Sequence, residues 1–79
     1  MRLDKFLKVS RIVKRRTVAK EICDAGRVKI NERPAKAAAS VQVGDIISLL
    51  RGSKLMQFEI LELPERVDAS RAKEIYRVI

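Results

Sequence analysis

Read from its amino terminus, the chain opens with apolar positions at helical spacing. Leu3, Phe6, Leu7 and Val13, with the small Ser10 between, form one stripe, while Asp4, Lys8 and Arg11 fall on the opposite side. That pattern predicts an amphipathic helix with a narrow buried face. A short link near Ile12 to Arg16 leads to a second stripe through Val18, Ala19, Ile22 and Cys23. Gly26 is placed to end that helix at the first position past its cap. After Gly26 the period changes from 3.6 to two. Val28 and Ile30 alternate with Arg27, Lys29 and Asn31, as in a half-buried strand. Glu32-Arg33-Pro34 signals a turn, because proline cannot donate to the middle of a sheet. Val41 and Val43 suggest a short extended stretch before a turn at Gly44-Asp45. Two strands follow, Ile46 to Arg51 and Leu55 to Leu61, joined near Gly52-Ser53. In the second, Met56, Phe58 and Ile60 share a face opposite Gln57 and Glu59, and Pro64 closes the run. From about Asp68 the tail fits two readings, a helix through Ala69, Ala72 and Ile75 or a terminal strand over Tyr76 to Ile79. Two helices followed by strands make an α+β fold, a helix pair packed on a small, mostly antiparallel sheet with a short C-terminal element.

At 79 residues the chain is expected to form a single domain. Its formal charge of +8 is not evenly spread. Residues 1–40 hold 12 Lys and Arg against 4 Asp and Glu, whereas residues 41–79 hold 6 of each. All of the excess therefore lies in the first half, as expected of a cationic face built by one half and a neutral scaffold built by the other. The sequence has no histidine and one cysteine, so the usual general base, a disulfide and a thiolate metal cage are not available. A non-catalytic chain is expected, without cofactor or metal. Cys23 reads as a small core residue in a reducing, cytoplasmic setting. No segment reaches the ~18 consecutive apolar residues of a membrane span.

The second helix breaks a local rule. Lys14-Arg15-Arg16 stands where the helix dipole is already positive and where acidic or capping residues are preferred. Thr17 is expected to cap the helix one residue later, although Lys20 then occupies the position a capping box gives to Glu or Gln. An anion resolves the conflict, since a phosphate accepts the free backbone N–H groups and meets the cations together. Arg16 and Lys20 lie one turn apart and can face the same ligand.

These residues resemble a known family. Arg2-Leu3-Asp4-Lys5-Phe6-Leu7, then Arg16 and Ala19, then Gly26-Arg27-Val28-Lys29-Ile30-Asn31, then Val43-Gly44-Asp45 are similar to the alpha-L RNA-binding motif, the S-four type domain, over residues 1–50. Residues 51–79 then form a neutral strand and C-terminal extension. The resemblance implies a helix pair on a small sheet with RNA lying across the helices, and Arg2, Asp4 and Arg16 as the RNA-facing positions. Asp4 also has a structural reading, in the first helical turn or orienting an arginine. Lys8, Arg11, Lys14, Arg15 and Lys20 are expected to neutralise phosphates, and Arg33 and Lys36 to extend the surface from a loop. The family usually has Asn-Gly where Asn31-Glu32 stands here, so a type I′ turn is not expected at that place.

Within the family, Lys14-Arg15-Arg16-Thr17 to Lys20-Glu21 and Arg33-Pro34-Ala35-Lys36 look most like a short stand-alone group, the bacterial ribosome quality control P-site factors. That likeness implies binding to ribosomal RNA of the large subunit and to peptidyl-tRNA on obstructed subunits. It also implies a partner that recruits alanyl-tRNA for C-terminal tailing of stalled chains, and a monomeric, ribosome-associated protein of the cytoplasm. A sibling group, the small ribosome-associated heat-shock proteins, recognises similar subunits and is the alternative. A general RNA-targeting module and a membrane-surface helix are further alternatives, the latter because the first 16 residues are basic and amphipathic.

Overall fold

The computed structural model describes all residues, 1–79. Helix α1 spans Leu3–Val9 and α2 Arg16–Asp24. Strands β1 (Val28–Ile30), β2 (Arg33–Pro34), β3 (Ile46–Arg51), β4 (Lys54–Ile60) and β5 (Tyr76–Val78) make one antiparallel sheet of order β2-β1-β3-β4-β5. A 3₁₀ helix over Ala69–Glu74 precedes β5, so both readings of the tail are realised, one after the other.

A single core joins the two halves of the sequence. Leu3, Phe6 and Leu7 of α1, Ala19 and Cys23 of α2, and Val28, Ile47, Leu49, Phe58 and Ile60 of the sheet are all fully buried in one cluster. The apolar stripe of α1 is thus spent on the sheet, which removes the surface a lipid-bound helix needs. Burial pushes the Cys23 thiol up to about 11, with the charges of Asp4 and Asp24 adding to it, so Cys23 is an inert core residue.

Helix α1 ends four residues before Val13, its last expected member. Arg11 adopts a left-handed backbone at φ 61° just past the cap residue Ser10. Its N–H bonds the Lys8 carbonyl at 3.0 Å, the bond glycine ordinarily makes there. Val13 reaches the core from the link instead, with its N–H on the Leu7 carbonyl at 3.0 Å. Helix α2 ends as expected. Gly26, at φ 79°, and Arg27 donate to the Cys23 and Ile22 carbonyls at 3.0 and 3.2 Å in a Schellman arrangement.

The sequence-based expectation fails at the first hairpin. Asn31 and Glu32 lie at φ 49° and 69° between paired Ile30 and Arg33, which is the two-residue loop with both φ values positive that defines a type I′ turn. Arg33 and Pro34 form an edge strand rather than turn residues. The Asn31 side chain explains why glycine is dispensable. Its Oδ1 accepts the Ile46 N–H at 2.9 Å and its Nδ2 donates to Asp45 at 3.1 Å, which pins the turn to the start of β3. Glu32 is exposed and has no such anchor. A left-handed residue with a Cβ costs ~1–2 kcal/mol, partly offset by the extra chain entropy of glycine. Glu32→Gly is accordingly expected to stabilise the fold by ~0.5–1 kcal/mol, raising the thermal midpoint by about 2–8 °C in a calorimetric scan.

The stretch Val41–Val43 joins no strand of the sheet. Val41 is buried, with its N–H on the Met1 carbonyl at 2.9 Å, and Val43 is exposed in the turn before Gly44. The neighbouring Ser40 instead bridges Arg2, tying this loop to the start of α1.

Candidate nucleic-acid interface

No side chain caps α1. Its first N–H groups are satisfied by the loop that precedes β3, Leu3 donating to the Ala39 carbonyl at 2.8 Å and Asp4 to that of Ala37 at 3.2 Å. The next donor, the Lys5 N–H, is taken by Asp4 Oδ1 at 2.8 Å, so the Asp4 side chain both satisfies the first turn and serves a second purpose. It is almost fully buried and meets two arginines. Arg2 approaches it in bidentate fashion, Nε on Oδ1 and Nη2 on Oδ2, each at 3.2 Å. Arg16 donates from Nη2 to Oδ1 at 3.4 Å, twelve residues away in sequence. Burial alone would raise the Asp4 carboxyl, but the hydrogen bonds and charges of Arg16 and Arg2 outweigh it and hold its pKa below the ordinary value of 3.8.

The geometry assigns these three residues distinct parts. The Asp4 side chain is 3% exposed, those of Arg2 and Arg16 47% and 49%. Asp4 therefore orients, and the arginines keep donors free for a ligand.

Arg16 is also the first residue of α2. Arg15 occupies the N-cap position and makes no side-chain cap bond. Thr17 falls inside the helix and does not cap it, because the helix starts two residues earlier than a Thr17 cap requires. The N–H groups of Arg16, Thr17 and Val18 find no acceptor in the protein. Three free donors at the positive end of a helix, flanked by Lys14, Arg15 and Arg16, form an anion-binding arrangement.

The remaining expected positions separate into three places. Lys20 and Lys36 meet at the C-terminal end of α2, Lys20 on the Asp24 carboxylate at 3.5 Å and Lys36 on the Asp24 carbonyl at 3.3 Å. Arg33 lies on the edge strand β2, beside Pro34. Lys8 and Arg11 face away toward a groove shared with residues 65–71. Lys5, another cation of α1, is held by Glu65 at 2.6 Å and serves as a strap between α1 and the C-terminal segment. No exposed aromatic platform accompanies the cations. Phe6 and Phe58 stack in the core at 6.3 Å, and Tyr76 packs edge-on against Phe58 at 5.5 Å. The surface suits the backbone of folded RNA rather than unstacked bases.

Sequence reasoning had no signal for the carbonyls of Ala37 and Ala39, which set the start of α1. Backbone acceptors in an irregular loop leave no mark on residue type.

A helix pair on an antiparallel sheet, with Arg2 and Arg16 gathered on one buried carboxylate, is the arrangement of an RNA-binding domain, and likeness to known proteins identifies which. The S4 domain family matches residues 1–47. The chain is 49% identical over 78 residues, 99% of its length, to the RQC P-site tRNA stabilizing factor of Halalkalibacterium halodurans, covering 89% of that protein. It is 46% identical over all 79 residues to the factor of the same name from Bacillus subtilis, covering 92% of it. The chain belongs to the S4 domain family and, within it, to the RQC P-site tRNA stabilizing factors. Among solved structures it is similar to trimeric heat shock protein 15 of Vibrio cholerae, with a TM-score of 0.91 and 31% identity over the whole of this chain and 81% of that one.

Proposed function

We propose that this chain is a non-catalytic factor that binds ribosomal RNA of the large subunit together with peptidyl-tRNA in the P site of obstructed subunits. In that position it supports C-terminal tailing of the stalled chain by a partner that recruits alanyl-tRNA. It acts as a monomer, associated with ribosomes in the cytoplasm. One observation carries the reading: Asp4 draws together Arg2, just before α1, and Arg16, the first residue of α2, beside the three unpaired N–H groups that open α2. The relatives named for stabilizing P-site tRNA match nearly the full length of the chain, which supports the choice of ligand. The cations at Lys14, Arg15 and Lys20 add sequence-independent attraction to phosphate, and Arg33 and Lys36 extend it.

Arg16→Ala tests the reading directly. It removes a half-exposed side chain that fills no part of the core but is one of two partners of the buried Asp4 carboxylate, so the fold should persist with a thermal midpoint lowered by a few degrees. Binding to large subunits carrying P-site tRNA should weaken by ~1–3 kcal/mol, roughly fivefold to 150-fold, in a sedimentation assay. Binding at the wild-type level would remove the helix pair as the interface. The resemblance to heat shock protein 15 favours a second reading, the recycling of stalled large subunits. The same assay separates the two, because a P-site factor loses affinity for subunits stripped of tRNA.

A further inference from the structure

The C-terminal half of the chain is neutral in sum, yet its charges are not evenly placed in space. Between the last turn of α1 and the segment leading to the 3₁₀ helix runs a groove of about 510 Å³. Lys8 and Arg11 line one side, Arg66 and Arg71 the other. Lys8, Arg11 and Arg66 enter no ion pair with any carboxylate of the protein. Arg71 has only loose partners, Glu74 at 3.6 Å and Glu62 at 3.9 Å, pairs that contribute little at an exposed surface. Two carboxylates share the groove. Glu65 is already taken by Lys5 at 2.6 Å, which leaves Asp68 as the one acidic side chain facing four cations.

We propose that this groove is a second phosphate-binding site for the RNA backbone, built jointly by α1 and the C-terminal segment. The inference rests on the function proposed above, since it supplies that RNA ligand with a second point of attachment. Three observations support it. Arg11 is held in the left-handed region, a conformation that costs a residue with a Cβ ~1–2 kcal/mol and that glycine would adopt freely at a helix end. Side chains kept under such strain are commonly retained for function. Lys8 follows Asp4 by one turn of α1, a rise of ~6 Å, so the groove opens on the same short helix that carries Asp4. The lining has two valines and no aromatic residue or methionine, which lacks the apolar anchor of a protein interface and matches the polar, cationic surface of a nucleic-acid one.

The test compares double variants that remove equal charge. Lys8→Ala with Arg66→Ala strips the groove, whereas Arg51→Ala with Lys54→Ala strips the hairpin between β3 and β4. Binding is measured to purified large subunits carrying P-site tRNA, over a range of salt concentrations. The groove pair should weaken binding at least about tenfold and lower the steepness of the log–log salt dependence by ~1.4–1.8, the share of two phosphates. The hairpin pair should do neither, and circular dichroism should show both folded. Equal behaviour of the two pairs overturns the proposal, because only net charge would then matter. Unchanged RNA affinity with loss of a co-sedimenting protein also overturns it, in favour of an acidic protein partner. Arg16→Ala in the same series separates this failure from that of the underlying reading. If Arg16→Ala loses binding and the groove pair does not, the groove alone is misassigned.

Discussion

Phe58→Ala is expected to be the most damaging single substitution in the chain. The ring lies in β4, fully buried, stacked on Phe6 of α1 at 6.3 Å and met edge-on by Tyr76 of β5 at 5.5 Å. Its cross-strand neighbours are Ile47 on one side and Val78 on the other. Truncation leaves a cavity between helix and sheet and costs ~3–5 kcal/mol, with the two aromatic contacts placing it toward the upper end. A domain of this size has ~4–12 kcal/mol in all. A thermal melt should therefore show the midpoint falling by at least about 15 °C, or no folded baseline at all. Phe58→Leu keeps most of the volume and should lose about 1–1.5 kcal/mol. If the alanine variant melted within a few degrees of the wild type, the core would not be joined through this ring. The same contact ties stability to function, because Phe6 and Asp4 sit on one short helix. A chain whose α1 loosens from the sheet loses the platform on which Asp4 holds its arginines.

How legible this was from residue order varies along the chain, for physical reasons. The strands β1 and β4 follow from alternation, since a half-buried strand writes its pattern into every second residue. The end of α2 follows from Gly26, because a Schellman turn selects for glycine. Helix α1 ends earlier than its apolar stripe because Val13 reaches the core from the link. Buried residues show that a position is inside without showing which element delivers it. The hairpin at Asn31-Glu32 defeated expectation for a related reason. The rule that a type I′ turn wants glycine describes the backbone's own preference, whereas here the Asn31 side chain holds the turn from outside. At the site, the charge imbalance and the rule-breaking start of α2 pointed to Arg16. The partition that exposed this surface also hid part of another. Arg66 and Arg71 are cancelled in the sum over residues 41–79 by carboxylates such as Glu59, which pairs with Arg77 across β4 and β5. Net charge is a property of composition, and a groove is a property of placement.

Asp4→Asn should separate orientation from simple charge more cleanly than any arginine variant. The substitution raises the net charge from +8 to +9, which by itself would favour a polyanion. For a phosphate roughly 7 Å away in a water-like medium that gain is only ~0.6 kcal/mol. Against it stands the loss of the negative charge that Arg2 and Arg16 share at 3.2 and 3.4 Å, and of the second oxygen that Arg2 uses. Without it the two side chains repel each other and sample many rotamers, and binding must order them again at ~0.5–1.5 kcal/mol each. Orientation outweighs charge, so affinity for large subunits with P-site tRNA should fall by about twofold to sixtyfold. Stability should fall by ~1–3 kcal/mol, since a buried charged acceptor is replaced by an amide that offers the arginines fewer bonds. A gain in affinity would mean that Asp4 opposes the ligand rather than aligning its partners. The pH dependence supplies an independent check. The carboxyl titrates below 3.8 in the folded chain and at about that value when unfolded, so its contribution is fully present above 3.8 and is lost as pH falls through the lower folded value. Wild-type and Asp4→Asn stabilities should therefore differ at neutral pH and converge in acid. A difference that persisted unchanged into acid would assign the loss to packing instead of to the ion pairs.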